Sequence, residues 1–309
     1  MTSVKIADIQ TIDELCLAIG ANREEVLQYL QSPRQVDYYE LICIPKRGKR
    51  RRGEYREVYK AKYQWIAQVH RSVAMIIKNS ASFQECVQGF LDGRSTLSNA
   101  LLHMGQEVIV HADIKDFFNA ITELQVKDAF SVMGASLIIA DILARMCTID
   151  GFLRQGTRCS PGISNLVCRR LDLDMLGLAN SKSSVYSRYA DNITFSGCSP
   201  PSYNLIKAVV ENNGFELRGS GCYTQYRGAR QFVTGLSVVD DKMPRLPKKM
   251  KKKLRLIVYY VSKYGEEHFE ASAGAHTITP TMTQLLGMIA YAYSVEPVFA
   301  KKLWAKLAP

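Results

Sequence analysis

Two aspartates stand where strand patterns end. Asp113 closes the apolar run Glu107-Val108-Ile109-Val110-His111-Ala112-Asp113-Ile114. Alternation puts Val108, Val110, Ala112 and Ile114 on one face and Ile109, His111 and Asp113 on the other. Asp191 lies in Ser187-Arg188-Tyr189-Ala190-Asp191-Asn192-Ile193-Thr194-Phe195-Ser196. That stretch alternates like a β-hairpin around the turn Ala190-Asp191-Asn192. Alone, it is the pattern of an ordinary surface hairpin. A carboxylate at the end of an apolar strand is costly to bury without a partner. Set beside the hairpin tip, Asp113 and Asp191 would repel each other, and a divalent cation relieves that repulsion. Two Mg2+ ions roughly 4 Å apart on such a pair can activate a hydroxyl and stabilise a leaving pyrophosphate.

The composition suits a polyanionic partner. The 309 residues carry 40 Lys+Arg against 29 Asp+Glu, a net charge of +11. Nucleic acid is the default partner for such a balance, the alternative being a merely soluble basic protein. An apolar content of 47% supports a proper core. The eight cysteines fall at 16, 43, 86, 147, 159, 168, 198 and 222, with no CxxC pair and no zinc spacing. They read as reduced, cytoplasmic thiols. No signal peptide and no membrane span is expected.

The surrounding elements follow from local patterns. Residues 11–30 read as two short helices, with capping-box spacing at Thr11/Glu14 and Asn22/Glu25. They form a small helical brace, in preference to a DNA-reading helix-turn-helix. Lys46, Arg47, Lys49, Arg50, Arg51, Arg52, Arg56 and Lys60 are interleaved with Tyr55 and Tyr59. This is either a solvated loop or a hairpin that grips phosphates and stacks on a base. Residues 60–78 have a helical pattern. Gly89 and Gly93 punctuate a turn that ends in Arg94. Asn99 and His103, four apart, are expected to share a helix face. Ser160 and Pro161 are expected to cap and start a helix reaching about Leu176. Eight basic residues crowd 242–255, ahead of Leu254, Ile257, Val258 and Val261. That is a basic amphipathic helix suited to tracking a duplex backbone, with membrane-surface binding as the alternative. Residues 280–304 read as a last helical pair, with Leu285, Ile289, Val298 and Trp304 available for packing.

A strand aspartate beside a hairpin aspartate is the metal site of a polymerase palm, and here the chain resembles a known family. Asp113-Ile114-Lys115-Asp116-Phe117-Phe118, Gln155-Gly156-Thr157-Arg158-Cys159-Ser160-Pro161 and Tyr189-Ala190-Asp191-Asn192 occur in the order and spacing of reverse transcriptase motifs. Asn99-Ala100-Leu101-Leu102-His103 and Val233-Thr234-Gly235-Leu236 resemble two marks of the retron-type bacterial enzymes. The resemblance runs from about Ile44 to the C-terminus.

It implies an α+β, right-hand polymerase of fingers, palm and thumb with an antiparallel palm sheet. The expected division is a helical N-terminal extension over 1–38, fingers and palm over 39–238 and a basic helical thumb over 239–309. The implied activity is RNA-directed DNA synthesis with two Mg2+ ions on Asp113 and Asp191. Arg56, Arg94, Phe118, Gln155 and Gly156 are implied in substrate binding, Phe118 by excluding a 2′-hydroxyl from the nucleotide sugar. Arg50, Arg51, Arg52, Lys248, Lys249, Lys251 and Lys252 are expected to hold nucleic acid. By resemblance the partners are a structured non-coding RNA, its RNA-linked single-stranded DNA product, deoxynucleoside triphosphates and an effector protein of antiphage defence.

Two positions depart from the family pattern. The motif ends Asp-Asp in the family and Asp191-Asn192 here, which keeps an acceptor oxygen but weakens the second metal. The family's Asn-x-x-Lys-Thr run is absent; Arg218 follows Leu217 instead. Arg218 supplies charge but is a poor proton donor. The rival reading is therefore a catalytically impaired scaffold that holds nucleic acid and an effector protein.

Overall fold

The computed structural model describes residues 5–46, 53–265 and 280–307. Its helices are α1 (Ile12–Ile19), α2 (Arg23–Gln31), α3 (Gln64–Ser80), α4 (Thr96–Leu101), α5 (Phe117–Ala120), α6 (Glu123–Val132), α7 (Leu137–Cys147), α8 (Ser160–Val167), α9 (Arg169–Ser181), α10 (Tyr203–Asn212), α11 (Lys248–Tyr264), α12 (Met282–Val295) and α13 (Pro297–Trp304). The strands are β1 (Tyr39–Pro45), β2 (Tyr55–Ala61), β3 (Val108–Asp113), β4 (Val185–Tyr189), β5 (Asn192–Gly197), β6 (Tyr223–Tyr226), β7 (Phe232–Val233) and β8 (Leu236–Ser237). The fold is mixed α+β with antiparallel sheets.

The central sheet has the order β4-β5-β3-β6. Its register puts Asp113 opposite Asn192 and Tyr189 opposite Asn192. The hairpin turn is therefore two residues, Ala190 and Asp191; Asn192 already belongs to the strand. Ala190 takes φ +57°, as a tight two-residue hairpin loop requires at a central position. This hairpin is no surface ornament. Tyr186, Ser187, Arg188 and Ile193 to Ser196 are all buried.

One apolar cluster runs from Ile6 in the N-terminal segment to Phe215. Leu15, Ile19 and Val26 share it with α3, α7 and the sheet, so the first two helices are built into the body. Tyr29 seals that contact: its hydroxyl meets Tyr39 Oη at 3.2 Å and donates to the Thr148 carbonyl at 3.4 Å. A second cluster joins Val233, Leu236 and Val238 to Leu254, Val258, Leu285 and Ile289. Ala100 of the Asn-Ala-Leu-Leu-His segment lies in this cluster too. Thr234 Oγ1 donates to the Thr96 carbonyl at 2.7 Å. The two flanking sequence marks thus pack against each other.

Several local expectations are corrected. Thr11 and Glu14 form the reciprocal capping box, but Asn22 caps Glu24 N–H alone. β2 extends to Ala61, so α3 begins at Gln64. Cys159 takes the cap position before α8, and Ser160 Oγ instead donates to the Arg154 carbonyl. The helix expected to reach Leu176 breaks at Cys168, which leaves helical ψ; nothing in its residue type explains the break. Leu285 and Ile289 are buried, whereas Val298 is 70% exposed. No helix among the described residues is long and apolar enough to cross a membrane.

His103 lies past the end of α4, so the shared-face argument with Asn99 lapses. Its ring bridges Ser196 Oγ and Ser187 Oγ, each at 2.7 Å, tying this segment to β5 and β4. His70 sits between Tyr39 Oη at 3.2 Å and the Met146 carbonyl at 3.3 Å. Both are structural. Burial pulls His103 down to about 3 and His70 down to about 4. Each stays neutral in the fold while the unfolded chain takes a proton near pH 6.5. Stability is thus complete above that pH and is lost as pH falls, by up to ~1.4 kcal/mol per pH unit for each ring. Urea midpoints should drop between pH 7.5 and pH 5. The drop should be shallower in His103→Gln; equal midpoints at the two pH values would contradict neutral burial.

Candidate active site

Asp113 and Asp191 open into one cavity of about 480 Å³. Asp113 arrives on the last residue of β3; Asp191 arrives on the β4–β5 turn. The Ile114 N–H donates to the Asp191 carbonyl at 2.9 Å, which locks the two backbones together. Arg56, Phe118, Gln155 and Arg218 also line the cavity, along with Lys46, Tyr55, Glu57, Asp116, Phe117 and Asn119. Five sequence candidates therefore meet: Arg56, Asp113, Phe118, Gln155 and Asp191.

The turn that carries Asp191 is held from beneath. Arg188 and Asp172 have side chains 0% and 2% exposed. Arg188 Nε and Nη2 donate to the two Asp172 oxygens at 2.8 and 2.7 Å. Tyr186 Oη donates to the same carboxylate at 2.8 Å. Arg188 Nη1 then donates to the Ala190 carbonyl at 3.1 Å and to Asn165 Oδ1 at 3.2 Å. Asn165 Nδ2 in turn donates to the Gly89 carbonyl at 2.9 Å. Residues 86–88 run beside β4, with Arg188 N–H donating to the Cys86 carbonyl and Gln88 N–H to the Arg188 carbonyl. A Cβ on Gly89 would lie 2.5 Å from the Ala190 nitrogen, so only glycine fits under the turn.

The remaining candidates divide. Gly156 adopts φ +111°, and a Cβ there would come within 2.3 Å of the Tyr59 carbonyl oxygen. Its neighbour Gln155 accepts from Tyr59 N–H at 2.7 Å. This pair joins the β1–β2 ribbon to the segment before α8. Phe118 is half-buried, 5.3 Å from the Phe117 ring and 6.1 Å from Phe90; Phe117 is core. Arg94 does not line the cavity. Its guanidinium donates to the carbonyls of Gln84, Val87 and Phe83, and so braces its own loop. Lys251 is also occupied, bonded to Glu296 at 2.9 Å and lying over the Phe299 ring. Lys248, Lys249, Lys252 and Lys253 are exposed and make no ion pair with a described residue. Arg50, Arg51 and Arg52 lie outside the described residues.

The electrostatics suit a hard cation. Burial raises the Asp191 carboxyl above its usual value, against its own backbone hydrogen bond, the charges of Arg218 and Arg56, and the Asn192 amide. Asn192 Nδ2 donates to Asp191 Oδ1 at 2.9 Å. A second aspartate here would set two carboxylates against each other; the amide orients the first one instead. Among the described residues no group of three or more His, Cys, Asp or Glu side chains could hold a metal ion. Two carboxylates are still the usual protein share for Mg2+, which keeps waters and takes substrate phosphate oxygens. The donor set fits such an ion.

Sequence reasoning missed Asp116 at the cavity wall and the Arg188–Asp172–Asn165 cluster. The signal for the cluster was a charged residue inside a hairpin strand, but its partners on α8 and α9 carry no mark of their own.

No family model matches the chain. It is similar to the Retron Mx65 reverse transcriptase of Myxococcus xanthus, 28% identical across 97% of this chain and 72% of that protein. The Retron Mx162 reverse transcriptase of the same organism is 28% identical across 98% of this chain and 67% of the relative. The Retron Ec86 reverse transcriptase of Escherichia coli is 29% identical across 66% and 64%. The proteins it resembles are thus all named reverse transcriptases. Each of these relatives is of the retron type, and the similarity to the first two covers nearly the whole of this chain.

The buried pair sets a test. Arg188→Met strands the Asp172 charge and should cost ~3–5 kcal/mol, whereas the Arg188→Met/Asp172→Leu double variant should lose much less. Urea unfolding of the three proteins decides it. Equal losses in the single and double variants would mean that the pair does not act as a unit.

Proposed function

We propose that this chain copies a structured non-coding RNA into RNA-linked single-stranded DNA, with Asp113 and Asp191 as its metal-holding residues. The supporting observation is that both carboxylates open into one cavity together with Arg56, Phe118 and Gln155. In this reading the β1–β2 ribbon and its neighbouring helices are the fingers, the four-stranded sheet is the palm, and α11 to α13 are the thumb. Residues 1–38 brace the fingers and palm, and the thumb begins near 239.

The roles follow from chemistry. Bound Mg2+ would lower the pKa of the primer hydroxyl and neutralise the leaving pyrophosphate. Asp113 and Asp191 supply its protein oxygens, and Asn192 holds Asp191 in place. Arg56 reaches phosphate oxygens from β2, where a guanidinium fork suits them. Phe118 forms the floor under the nucleotide sugar and leaves no room for a 2′-hydroxyl. Gln155 and Gly156 shape the wall beside the nascent base pair. Lys248, Lys249, Lys252 and Lys253 track the nucleic-acid backbone through the exposed side of α11; Lys251 instead fastens α11 to Glu296. Synthesis starts from an internal 2′-hydroxyl of the RNA, and the product works with a separate effector protein in antiphage defence, in the cytoplasm.

Asn192 and the missing lysine favour one second reading, a scaffold that binds nucleic acid without extending it. Primer extension on an RNA template separates the two. The chain should extend, and Asp191→Asn should abolish extension while leaving RNA affinity unchanged. No extension by the chain, with intact RNA binding, would establish the scaffold. Changing Lys248, Lys249, Lys252 and Lys253 to Ala should flatten the salt dependence of RNA binding by about 0.7–0.9 log units per lost phosphate contact. An unchanged slope would make these lysines a solvated face.

A further inference from the structure

Two arginine–aspartate pairs serve the same sheet, and they are built differently. Arg188 is sealed, and it grips Asp172 through two bonds of 2.8 and 2.7 Å. Arg218 stands at the cavity wall with a quarter of its side chain exposed. Its nearest approaches are Nε to Asp113 Oδ1 at 3.2 Å and Nη2 to Asp116 Oδ1 at 3.9 Å. Two short parallel bonds in a dry site are hard to exchange; a longer contact beside an open cavity is not.

The backbone of Arg218 is nonetheless fixed. Its N–H donates to the Asp113 carbonyl at 2.8 Å, and its own carbonyl accepts from Gly221 N–H at 2.8 Å. A Cβ on Gly221 would fall 2.6 Å from Asp113 Cβ, so the loop lies flush against the aspartate. The anchor is thus rigid while the guanidinium ends in the cavity. Of the other cations on the wall, Lys46 pairs with Glu54 at 3.3 Å. Four carboxylates, Glu57, Asp113, Asp116 and Asp191, face the same space. A positive group beside Asp113 and Asp116 offsets their mutual repulsion.

We propose that Arg218 is an exchangeable counter-ion. It neutralises Asp113 and Asp116 in the empty site, and it moves to the phosphates of an incoming nucleoside triphosphate once a divalent cation takes Asp113. The planar fork matches phosphate oxygens, and its permanent charge serves electrostatically without donating a proton. The inference rests on the polymerase reading of this cavity and adds a triphosphate-binding residue to it.

The experiment measures two affinities on the whole chain: Mn2+ without nucleotide, by electron paramagnetic resonance, and a deoxynucleoside triphosphate with Ca2+, by equilibrium dialysis. In Arg218→Ala the Mn2+ affinity should rise severalfold, because a competing cation is gone. Triphosphate affinity should fall by about ten- to a hundredfold, the range for lost charge-assisted hydrogen bonds. Arg218→Lys should keep most of the triphosphate affinity. Opposite movements are the signature, since a merely structural defect would weaken both ligands together. Weakening of both, or no change in either, overturns the proposal. Asp191→Asn is the control for the site. If it abolishes Mn2+ binding while Arg218→Ala changes nothing, Arg218 alone loses its role. If Asp191→Asn leaves Mn2+ binding intact, the polymerase reading of the cavity falls and the Arg218 role with it.

Discussion

The arrangement depends on a charge that never meets water. Arg188 lies in the middle of β4 with no exposed surface, and everything it touches is part of the path to Asp191. Asp172 neutralises it, Asn165 shares one of its nitrogens, and the Ala190 carbonyl takes a further bond. Such a pair is weak as a source of net stability, because desolvation offsets most of the attraction. Its effect is directional. A guanidinium has a fixed fork, so satisfying it fixes α8, α9, residues 86–89 and the hairpin turn relative to one another. The break at Cys168 lets Asn165 and Asp172, on separate helices, both reach this one group.

Three glycines complete the close packing around the site. Gly89 passes under the turn, Gly221 lies against Asp113, and Gly156 lies against the backbone of Tyr59. At each, backbone meets backbone or the Asp113 side chain with no space for a methyl group. These contacts hold the backbones on either side of the cavity in close register. On the opposite side, His103 bridges Ser187 and Ser196 and fastens the hairpin to the segment after α4. Val233 to Leu236 then pack on α4. The hairpin is thus held on two sides by buried polar groups, each hydrogen-bonded, as burial demands.

Asn192 takes on a different meaning in this setting. From the sequence it is a missing charge. In the structure its amide donates to a carboxylate that burial already penalises. With Arg218 on Asp113, the site carries less negative charge than a run of aspartates would give it. The protein's own groups thus offset like-charge repulsion at the site.

The sequence by itself determined β3, the β4–β5 hairpin and most helices, and it singled out Asp113 and Asp191, because these depend on short-range periods and on residue types that few chemistries share. Alternation fixed β3 and the hairpin; apolar spacing fixed the buried face of α11. Its limits were physical. Hairpin turn length depends on whether Ala190 can take a positive φ, which the buried Arg188 bond and Gly89 favour and no local preference reveals. Arg94 is taken by carbonyls of its own loop and Lys251 by a glutamate distant in sequence, since a guanidinium or ammonium goes to whichever acceptor the fold brings near. The Arg188–Asp172 pair was invisible for the same reason. Charge and spacing name the groups that could act, but only the packing of α8, α9 and β4 decides which charges are sealed into the core and which remain at the cavity to meet a substrate.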